Sequence, residues 1–476
     1  MRIWLALLFF WPLAAVAHIG SPNIYYEGNA GPYALQVIIR PPDVIPGLAE
    51  ISVRALDGNV QAISVLPARW DTGTKGAPSA DPAKPVRGDT NLFTAELWLM
   101  NSGAYNILVH ADGAAGRGTT VVPVNSVASA RRVMPRGFGA MLGTWAGVLV
   151  LALVCLVGSA VRESVLPPGE EPTPKRVRLS WLAMVVGGFV VAAALWGGFR
   201  WWNHVDRDYR NNRLYRADDL KATVTTNDAA RPILKLRRTN ERGSGRSLVP
   251  EHGKLMHAFI VRQPALDAFA HLHPVRIDDQ NFETTLPPLP AGNYKIYADI
   301  THSSGLTHTL VADIVLPANH VAEFSKADED DSWVASSSPA RSEAQKTCAL
   351  PNNFMMQQVG IGNARMQFKV VDGDGKPAAL EPYMTMQAHA VVHSHDATVF
   401  THLHPFGTVS MASQQLFAKR EREKSNKPFE VVCGLSARPD LIVFPYEFPK
   451  PGAYRVWVQV KINGEVVTGF FDHIAS

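Results

Sequence analysis

Apolar residues recur in short alternating runs over most of this 476-residue chain. The runs fill three stretches of roughly 100 to 130 residues, a size at which each stretch can bury its own core. Alternation with a period of two predicts half-buried β-strands, and short strands at regular spacing predict β-sandwiches. The sequence therefore predicts a mainly β protein with three immunoglobulin-like β-sandwich modules, at residues 18–124, 218–317 and 347–476.

Two unbroken apolar stretches interrupt this pattern between the first and second modules. They cover residues 137–161 and 179–199, and residues 162–178 join them. A membrane-spanning helix needs about 20 consecutive apolar residues, so each stretch is long enough to cross a bilayer. Tryptophans near the ends of the second stretch are typical of a membrane–water interface. The sequence therefore predicts a hairpin of two transmembrane helices.

The N-terminus carries the pattern of a signal peptide, residues 1–17. Arg2 precedes a short apolar core, and Ala15-Val16-Ala17 is typical of a cleavage site. An exported N-terminus followed by two spans returns the C-terminal half to the outer side of the membrane. We therefore expect a bacterial inner-membrane protein with its modules in the periplasm and residues 162–178 in the cytoplasm.

The motif that carries chemistry is a histidine hairpin, and it occurs twice. A lone histidine precedes a His-Leu-His-Pro tetrapeptide by 14 residues in the second module and by 13 in the third. Both segments alternate like strands, so folding each about its central turn brings the lone histidine opposite the first histidine of the tetrapeptide. The period of two then places three imidazoles on one sheet face. The two predicted metal-ligand sets are His257, His271 and His273, and His389, His402 and His404.

Two interpretations of these hairpins stay open. Imidazoles on a strand can be satisfied by backbone or water, and a duplicated module would copy such a structural motif. Three packed imidazoles, however, must each find a hydrogen-bond partner or a metal ion, which favours metal binding. Because each module has its own core, we expect two independent sites, with copper as the metal and zinc as the alternative.

The second and third modules correspond to each other beyond the histidines. Pro290-Ala-Gly-Asn-Tyr294 matches Lys450-Pro-Gly-Ala-Tyr454, and equal spacing relates Gly305, Thr309 and Asp313 to Gly464, Thr468 and Asp472. A module duplication explains this correspondence better than chance. Residues 318–346 are acidic and Ser-rich, which predicts a flexible linker. A charged insertion at residues 414–427 predicts a solvated loop or a short helix.

Copper chemistry is also predicted at the mature N-terminus. Cleavage after Ala17 would leave His18 with a free amine and an imidazole, a pair that chelates copper. His110 and Asp112, at the end of a predicted strand, are its candidate partners. The alternative is that His18 is an accident of the cleavage site and that His110 and Asp112 are ordinary surface residues.

Cysteine content and charge narrow the function further. Cys348 and Cys433 both belong to the third module, and an oxidising compartment favours a disulfide between them, whereas Cys155 lies in the first span as a free thiol. The net charge of +4 is dispersed and does not indicate nucleic-acid binding. The sequence contains no nucleotide-binding loop, nucleophile elbow or zinc-protease motif. An enzyme is therefore the less favoured class.

The residues singled out above carry a family resemblance. His18 and the segments MHAFIV…FAHLHP and MQAHAVV…FTHLHPFGTVSMAS resemble uncharacterised bacterial membrane-anchored exported proteins with YtkA-like or copper-resistance-type β-sandwich modules. In the copper-resistance type, an N-terminal histidine and a later histidine with a carboxylate bind copper(II). The resemblance assigns these roles to His18, His110 and Asp112, and it implies metal handling in the periplasm.

The function expected from the sequence is a membrane-anchored periplasmic metal-binding protein for copper homeostasis or delivery. Its expected partners are the membrane, a metal ion and a periplasmic or membrane protein. One alternative is a scaffold that uses the sandwiches to organise a membrane complex without metal. A less favoured alternative is a copper oxidase that uses a histidine brace at His18.

Overall fold

The computed structural model folds into two compact units, one helical and one built of strands. The helical unit covers Val127–Tyr215, and the strand-rich unit combines the residues before and after it. The predicted signal peptide and His18 lie outside the described residues. The structure describes residues 23–57, 59–167, 169–216, 218–226, 231–239, 247–317, 326–335, 338–341, 343–425 and 440–476.

The first module is a sandwich of two antiparallel sheets. Its strands are β1 (Ile24–Ala30), β2 (Tyr33–Arg40), β3 (Gly47–Ala55), β4 (Val60–Arg69), β5 (Asp81–Pro82), β6 (Lys84–Val86), β7 (Asp89–Leu99), β8 (Gly103–Gly113) and β9 (Gly116–Ser126). The sheets have the orders β1-β2-β3-β7-β6 and β5-β4-β8-β9. Alternate residues such as Val37, Ile51 and Val109 are buried between them, as the period of two predicts.

The helical unit is a pair of long apolar helices. They are α1 (Arg136–Glu163) and α2 (Pro174–Asp208), each long and apolar enough to cross a membrane, and both predicted spans lie within them. Gly158 of α1 lets the helices approach closely, since a Cβ there would come within 2.6 Å of the Met184 side chain. The unit thus contains the two candidate membrane-spanning helices that the sequence predicts.

The second module is also a sandwich of antiparallel sheets. Its strands are β10 (Asp219–Thr226), β11 (Pro232–Thr239), β12 (Leu248–Val249), β13 (His257–Gln263), β14 (Ala268–Leu272), β15 (Val275–Arg276), β16 (Asn281–Thr285), β17 (Gly292–His302), β18 (Thr307–Leu316) and β19 (Ser332–Ala335). One sheet has the order β10-β11-β16-β15. The other has the order β12-β17-β13-β14-β19, with β18 also paired to β17.

The third module repeats this plan. Its elements are β20 (Thr347–Leu350), β21 (Phe354–Gly362), β22 (Arg365–Val371), β23 (His389–Ser394), β24 (Phe400–Leu403), α3 (Met411–Ser425), β25 (Ile442–Pro445), β26 (Gly452–Ile462) and β27 (Glu465–Ala475). Its sheets have the orders β20-β21-β22-β25 and β24-β23-β26-β27. The chain is therefore mainly β, with sandwich modules before and after two apolar helices.

Equivalent contacts relate the second and third modules. The Tyr294 hydroxyl donates to the Pro290 carbonyl at 2.6 Å, and the Tyr454 hydroxyl donates to the Lys450 carbonyl at 2.8 Å. Cross-strand ion pairs also recur, Lys295 with Asp313 and Arg455 with Asp472. These pairs occupy corresponding positions on β17–β18 and β26–β27, as expected for a duplicated module.

Two segments differ from the sequence prediction. The predicted linker, residues 318–346, contains β19, which pairs with β14. Without β19, β14 would be an open sheet edge, and such edges are normally covered. The insertion predicted to be solvated lies mostly within α3, whose Gln414 is buried and donates to the Val121 carbonyl of the first module at 2.6 Å. The composition of both segments is polar, so it gave no signal of these contacts.

The second and third modules pack face to face through aromatic rings. Phe269 stacks on Trp457 with ring centroids 4.7 Å apart, and Tyr297 stacks on Phe400 at 3.9 Å. Phe269 and Phe400 are equivalent in the two hairpins, and so are Tyr297 and Trp457, so the contacts are reciprocal. All four side chains belong to one buried cluster shared by the two modules. Each module has its own core, as expected, but the two hairpin faces bury each other, so the two predicted sites are adjacent rather than apart.

Candidate metal centre

The two hairpins direct their histidines into this shared interface. Phe259 on β13 pairs with His271 on β14, and Val391 on β23 pairs with His402 on β24. Continued by two residues, this register places the lone histidines His257 and His389 opposite the second histidine of each tetrapeptide, although their Nδ1 atoms lie 3.1 and 3.2 Å from Nε2 of the first. The turns are centred about one residue later than predicted, which shifts the pairing by two residues and leaves the side chains on the same face.

Seven histidines meet there in one buried cluster, which we call the histidine centre. Neighbouring rings have centroids 4.6 to 6.4 Å apart. Five of the residues are at most 5% exposed, and the side chains of the other two, His252 and His402, are 0% and 7% exposed. The members are His252, His257, His271 and His273 of the second module and His389, His402 and His404 of the third.

His257, His271 and His273 form the first triad, in which one nitrogen of each ring lies within 4.8 Å of the others. The Nε2–H of His257 donates to the Glu251 carbonyl at 3.1 Å. The Nδ1–H of His271 donates to Oε1 of Gln459 at 2.9 Å, and that of His273 donates to Asp331 at 3.0 Å. Oxygen acceptors therefore set the tautomer of all three rings.

The fixed tautomers leave three nitrogen lone pairs directed at one another. Nδ1 of His257 and Nε2 of His271 are 3.1 Å apart, and neither carries a proton in this arrangement. Nε2 of His273 is buried and has no hydrogen-bond partner within the described part of the chain. Buried acceptors without donors are costly unless a cation binds them. Metal-binding histidines characteristically donate their second ring N–H to an oxygen, so the first triad fits a metal ion.

His252, His389 and His404 form the second triad, also with one nitrogen of each ring within 4.8 Å of the others. His252 lies on the turn before β13, and its Nε2 is 3.1 Å from Nε2 of His404. Nε2 of His389 is buried and has no partner among the residues that the structure describes. The second triad therefore combines one histidine of the second module with two of the third.

His402 links the two triads. Its Nδ1 lies 3.2 Å from Oδ2 of Asp299, and its Nε2 lies 3.2 Å from Nδ1 of His389. Its ring is 5.7 Å from the ring of His257 and 5.8 Å from that of His271. The sequence prediction groups His402 with His389 and His404, and the structure places it beside both of them and next to the first triad.

Burial keeps five of the imidazoles in the histidine centre neutral. Desolvation holds the pKa of His257, His271, His389 and His404 well below the ordinary 6.5, and repulsion from neighbouring imidazoles adds to this effect. The same two causes lower the pKa of His252 to about 3. Neutral imidazole is the form that coordinates a metal, so these rings are ready to act as ligands at neutral pH.

Glu251 connects the centre to helix α3. Its carboxylate is buried, accepts the Met411 N–H at 2.7 Å and also accepts the Ser410 hydroxyl at the start of the helix. An acidic group at a helix N-terminus is favourable, because unpaired N–H groups and the helix dipole point at it. Burial nevertheless raises the pKa of the Glu251 carboxyl. Since the Glu251 carbonyl accepts from His257, α3 and the first triad share one support.

The other predicted ligands lie outside the centre. His110 bonds Thr119 through Nδ1 at 2.8 Å, and Asp112 lies 3.7 Å from Arg117, so both have partners within the first module. Burial is the main cause that lowers the pKa of His110. His18 lies outside the described residues, so its predicted role with these two residues stays a prediction. Cys433 also lies outside them, Cys348 is a buried free thiol, and no disulfide joins cysteines in the part of the chain that the structure describes.

Sequence reasoning missed His252, Gln459 and Asp331. His252 precedes His257 by five residues, outside the tetrapeptide pattern. Met384 stands at the equivalent position of the third module, so the duplication gave no repeated histidine to find. Gln459 reaches the centre from the opposite module, and Asp331 lies in the predicted linker. Each of these residues joins the site through a tertiary contact that alternation does not encode.

Comparisons with known proteins leave the family of the whole chain open. Residues 354–475, most of the third module, match a family described as a domain of unknown function, DUF8832. No curated protein matches significantly. The chain is similar to dimeric latent PorU from Porphyromonas gingivalis, at 8% identity and a TM-score of 0.15, covering 95% of this chain and 34% of that one. It is also similar to a putative membrane anchored protein from Corynebacterium diphtheriae, at 9% identity and a TM-score of 0.15, covering 94% and 93%. The chain thus spans about a third of the length of PorU, and TM-scores this low do not indicate a shared fold.

Proposed function

We propose that this protein is a membrane-anchored, exported metal-binding protein that holds copper in the histidine centre, for homeostasis or delivery. Zinc is the alternative metal. The observation that carries the proposal is the first triad, where three buried rings have donated one N–H each to oxygen and turn their lone pairs toward a common point. A metal ion satisfies all three lone pairs at once.

The ligand chemistry supports copper or zinc over calcium and magnesium. The nearest groups in both triads are imidazoles, and neutral imidazole suits copper and zinc better than calcium or magnesium, which prefer oxygen ligands. Asp331 and Gln459 accept hydrogen bonds from ring nitrogens that face away from the lone pairs, and Asp299 lies 3.2 Å from Nδ1 of His402. We therefore assign these oxygens as supports rather than ligands. The resemblance of the hairpin segments to copper-resistance-type modules favours copper and belongs to the same proposal.

Burial favours holding a metal over turning over a substrate. A catalytic metal keeps an open coordination position that a substrate can reach. His257, His271 and His389 are 0 to 1% exposed, and aromatic rings of both modules pack beside them. The proposal therefore places no substrate here. A histidine-brace oxidase at His18 is a separate alternative, since it would use residues outside this centre.

A scaffold without metal is the second candidate function. The aromatic cluster shared by the second and third modules favours it, because that cluster holds the two sandwiches together without any ion. The two candidates differ in one measurable property, which is whether the purified protein retains copper or zinc.

The proposed location is the periplasmic side of a bacterial inner membrane. It rests on the signal-peptide pattern and on two candidate membrane-spanning helices. A reporter that is active only in the cytoplasm should be silent when fused after Ser476 and active when inserted in the loop of residues 162–178. Strong activity after Ser476 would contradict the proposed topology.

Metal analysis of the full-length protein in detergent tests the proposed function. After exposure to copper or zinc and dialysis at pH 7, we expect retained metal whose amount falls in the variant His271→Ala/His273→Ala, because that variant lacks the first triad. His395→Gln is a matched control, because His395 lies on the β23–β24 turn outside the centre. No retained metal in the parent protein, with unchanged folding, would return the histidines to a structural role.

A further inference from the structure

We propose that the two triads form a single two-ion centre across the module interface, in which each hairpin is positioned by an oxygen from the opposite module. This inference rests on the proposed metal binding and goes beyond it in ion number, spacing and support. It replaces two independent sites, one per module, with one shared site.

The spacing of the rings carries the first part of the inference. Across the two triads, His252 and His257 have centroids 6.2 Å apart, and His271 and His389 have centroids 6.4 Å apart. His402 lies between them and contacts rings of both. Because a coordinating nitrogen lies about 2 Å from its ion, two ions in these triads would be on the order of 10 Å apart or less. Two copper(II) ions at that distance interact magnetically.

Buried ring nitrogens without a hydrogen-bond partner support the proposed number of two ions. Nε2 of His273 belongs to the first triad and Nε2 of His389 to the second, and both are buried without a hydrogen-bond partner in the described ranges. Each triad therefore contains a lone pair that the protein leaves unsatisfied. The six nitrogens fall into two separate groups of three, each within 4.8 Å, so the arrangement suits two ions, one in each triad.

Reciprocal support carries the second part. On the paired strands, His257 lies opposite Asp299 and His389 lies opposite Gln459, so these two residues are equivalent in the duplication. Oδ2 of Asp299 in the second module lies 3.2 Å from Nδ1 of His402 in the third. Gln459 of the third module accepts from His271 of the second, and its amide also donates to the Ser332 hydroxyl. Each module thus orients a histidine of the other.

The reciprocity follows from the way the two faces meet. Phe269 of the second module stacks on Trp457 of the third, and the equivalent Phe400 of the third module stacks on Tyr297 of the second. The two oxygens are related in the same reciprocal way. An approximate twofold relation between the modules therefore extends from the aromatic cluster into the histidine centre. Losing the cross-module oxygen should weaken the hairpin opposite, rather than the hairpin on the same module.

Electron paramagnetic resonance of the full-length protein loaded with copper(II) tests the spacing. We expect two ions per chain, with a broadened signal and faster spin relaxation than in two single-ion variants, His271→Ala/His273→Ala and His389→Ala/His404→Ala. One ion per chain, or a two-ion spectrum equal to the sum of the single-ion spectra, would overturn this inference and leave the proposed metal binding standing. Absence of bound copper and zinc would overturn both.

Gln459 is a positioning residue, and its support is tested in the His389→Ala/His404→Ala background, which retains the first triad. Gln459→Leu removes the acceptor for His271. We therefore expect a copper affinity about 10- to 100-fold lower, which is the usual range for the loss of a supporting oxygen. Gln459→Glu keeps an acceptor and should restore the affinity and the copper spectrum. Gln367→Leu, on β22 away from the centre, is the control. Unchanged affinity in Gln459→Leu, or failure of Gln459→Glu to restore it in a protein that still folds, would contradict reciprocal support.

Discussion

The first triad draws all three imidazoles from one hairpin, whereas the second draws two from its own hairpin and takes His252 from the neighbouring module. The supports differ as well. Oxygens of Glu251, Gln459 and Asp331 set the rings of the first triad. Beside the second triad, the Glu251 carboxylate lies 3.6 Å from Nε2 of His252, and Asp299 lies 3.2 Å from Nδ1 of His402. A duplication therefore repeated the histidines, and later changes in their surroundings made the two triads different.

The turn before each lone histidine shows where they diverged. His252 and Gly253 have positive φ angles of 51° and 83°, and Met384 and Thr385 have 46° and 67°. Flanking residues bridge in the same way in both modules. The backbone of the turn has thus been kept while its side chains changed, and the left-handed conformation at His252 aims an imidazole across the interface. One side-chain difference thus gives the second triad an imidazole from the other module.

Among the substitutions that compare the two triads, Trp457→Ala should have the largest effect on stability and metal content. It removes the ring that stacks on Phe269 at the shared face of the second and third modules. Trp457 is 1% exposed, and truncating a buried Phe or Trp to Ala costs about 3 to 5 kcal/mol. Denaturant unfolding measures the loss, and metal analysis should show both triads emptied together. Trp98→Ala is the control, since Trp98 is 56% exposed and should change the unfolding free energy by at most about 0.5 kcal/mol. Equal effects of the two changes would argue against a shared core.

His252→Ala should separate the triads next. The second triad loses a ligand and should release its ion, while the first triad keeps its own. Met384→Ala changes the equivalent turn position of the third module and should leave the second triad loaded. Metal content and copper spectra of the two variants provide the measurement. Loss of both ions in His252→Ala without unfolding would show that the difference between the triads has been misassigned.

Acid should weaken the interface through His393. Burial is the largest cause that lowers its pKa to about 4, and the second module has Val261 at the equivalent position. The unfolded chain, with an ordinary histidine pKa near 6.5, binds the proton first, so stability is complete above about pH 6.5 and falls as the pH drops toward 4. The loss is on the order of 3 kcal/mol, since one pKa unit corresponds to about 1.4 kcal/mol. His393→Gln should make this dependence less steep in the metal-free protein, where the other buried histidines still contribute; an unchanged slope would contradict the role of His393.

The smallest effects should be equal in the two modules. Tyr294→Phe and Tyr454→Phe each remove one hydroxyl that donates to a carbonyl four residues earlier. A single hydrogen bond of this kind contributes about 0.5 to 1.5 kcal/mol, so both variants should lose about that much unfolding free energy. Losses that differ by more than this range would mean that this tyrosine hydrogen bond contributes differently to the stability of the two modules.

Alternation in the sequence was sufficient to predict the sandwiches and the face that each hairpin histidine occupies. Strand periodicity is local, so it assigns His271 and His273 to one face whatever the rest of the chain does. The apolar lengths of the two helices are equally local. The pairing register was predicted two residues off, since it depends on how the turn folds.

Contacts between modules were beyond the same reasoning. The sequence showed the aromatic residues Phe269 and Trp457, but two sandwich faces with apolar residues can be covered in many ways. In the sequence, Asp331 belongs to an acidic segment predicted to be a flexible linker. Its role in the site depends on the pairing of β19 with β14 and on the hydrogen bond from His273, which the sequence does not show. His252 stood in a polar turn with no histidine at the equivalent position. Each site residue that the sequence did not predict belongs to a contact between distant parts of the chain.

The most direct test of a shared metal centre is anomalous scattering from crystals of the full-length protein loaded with copper, and separately with zinc. We predict two anomalous peaks within the histidine centre, one at the lone pairs of His257, His271 and His273 and the other among His252, His389 and His404, each about 2.0 to 2.1 Å from ring nitrogens when zinc is bound. Peaks confined to His18, His110 and Asp112, or no peak near the seven histidines, would contradict this account.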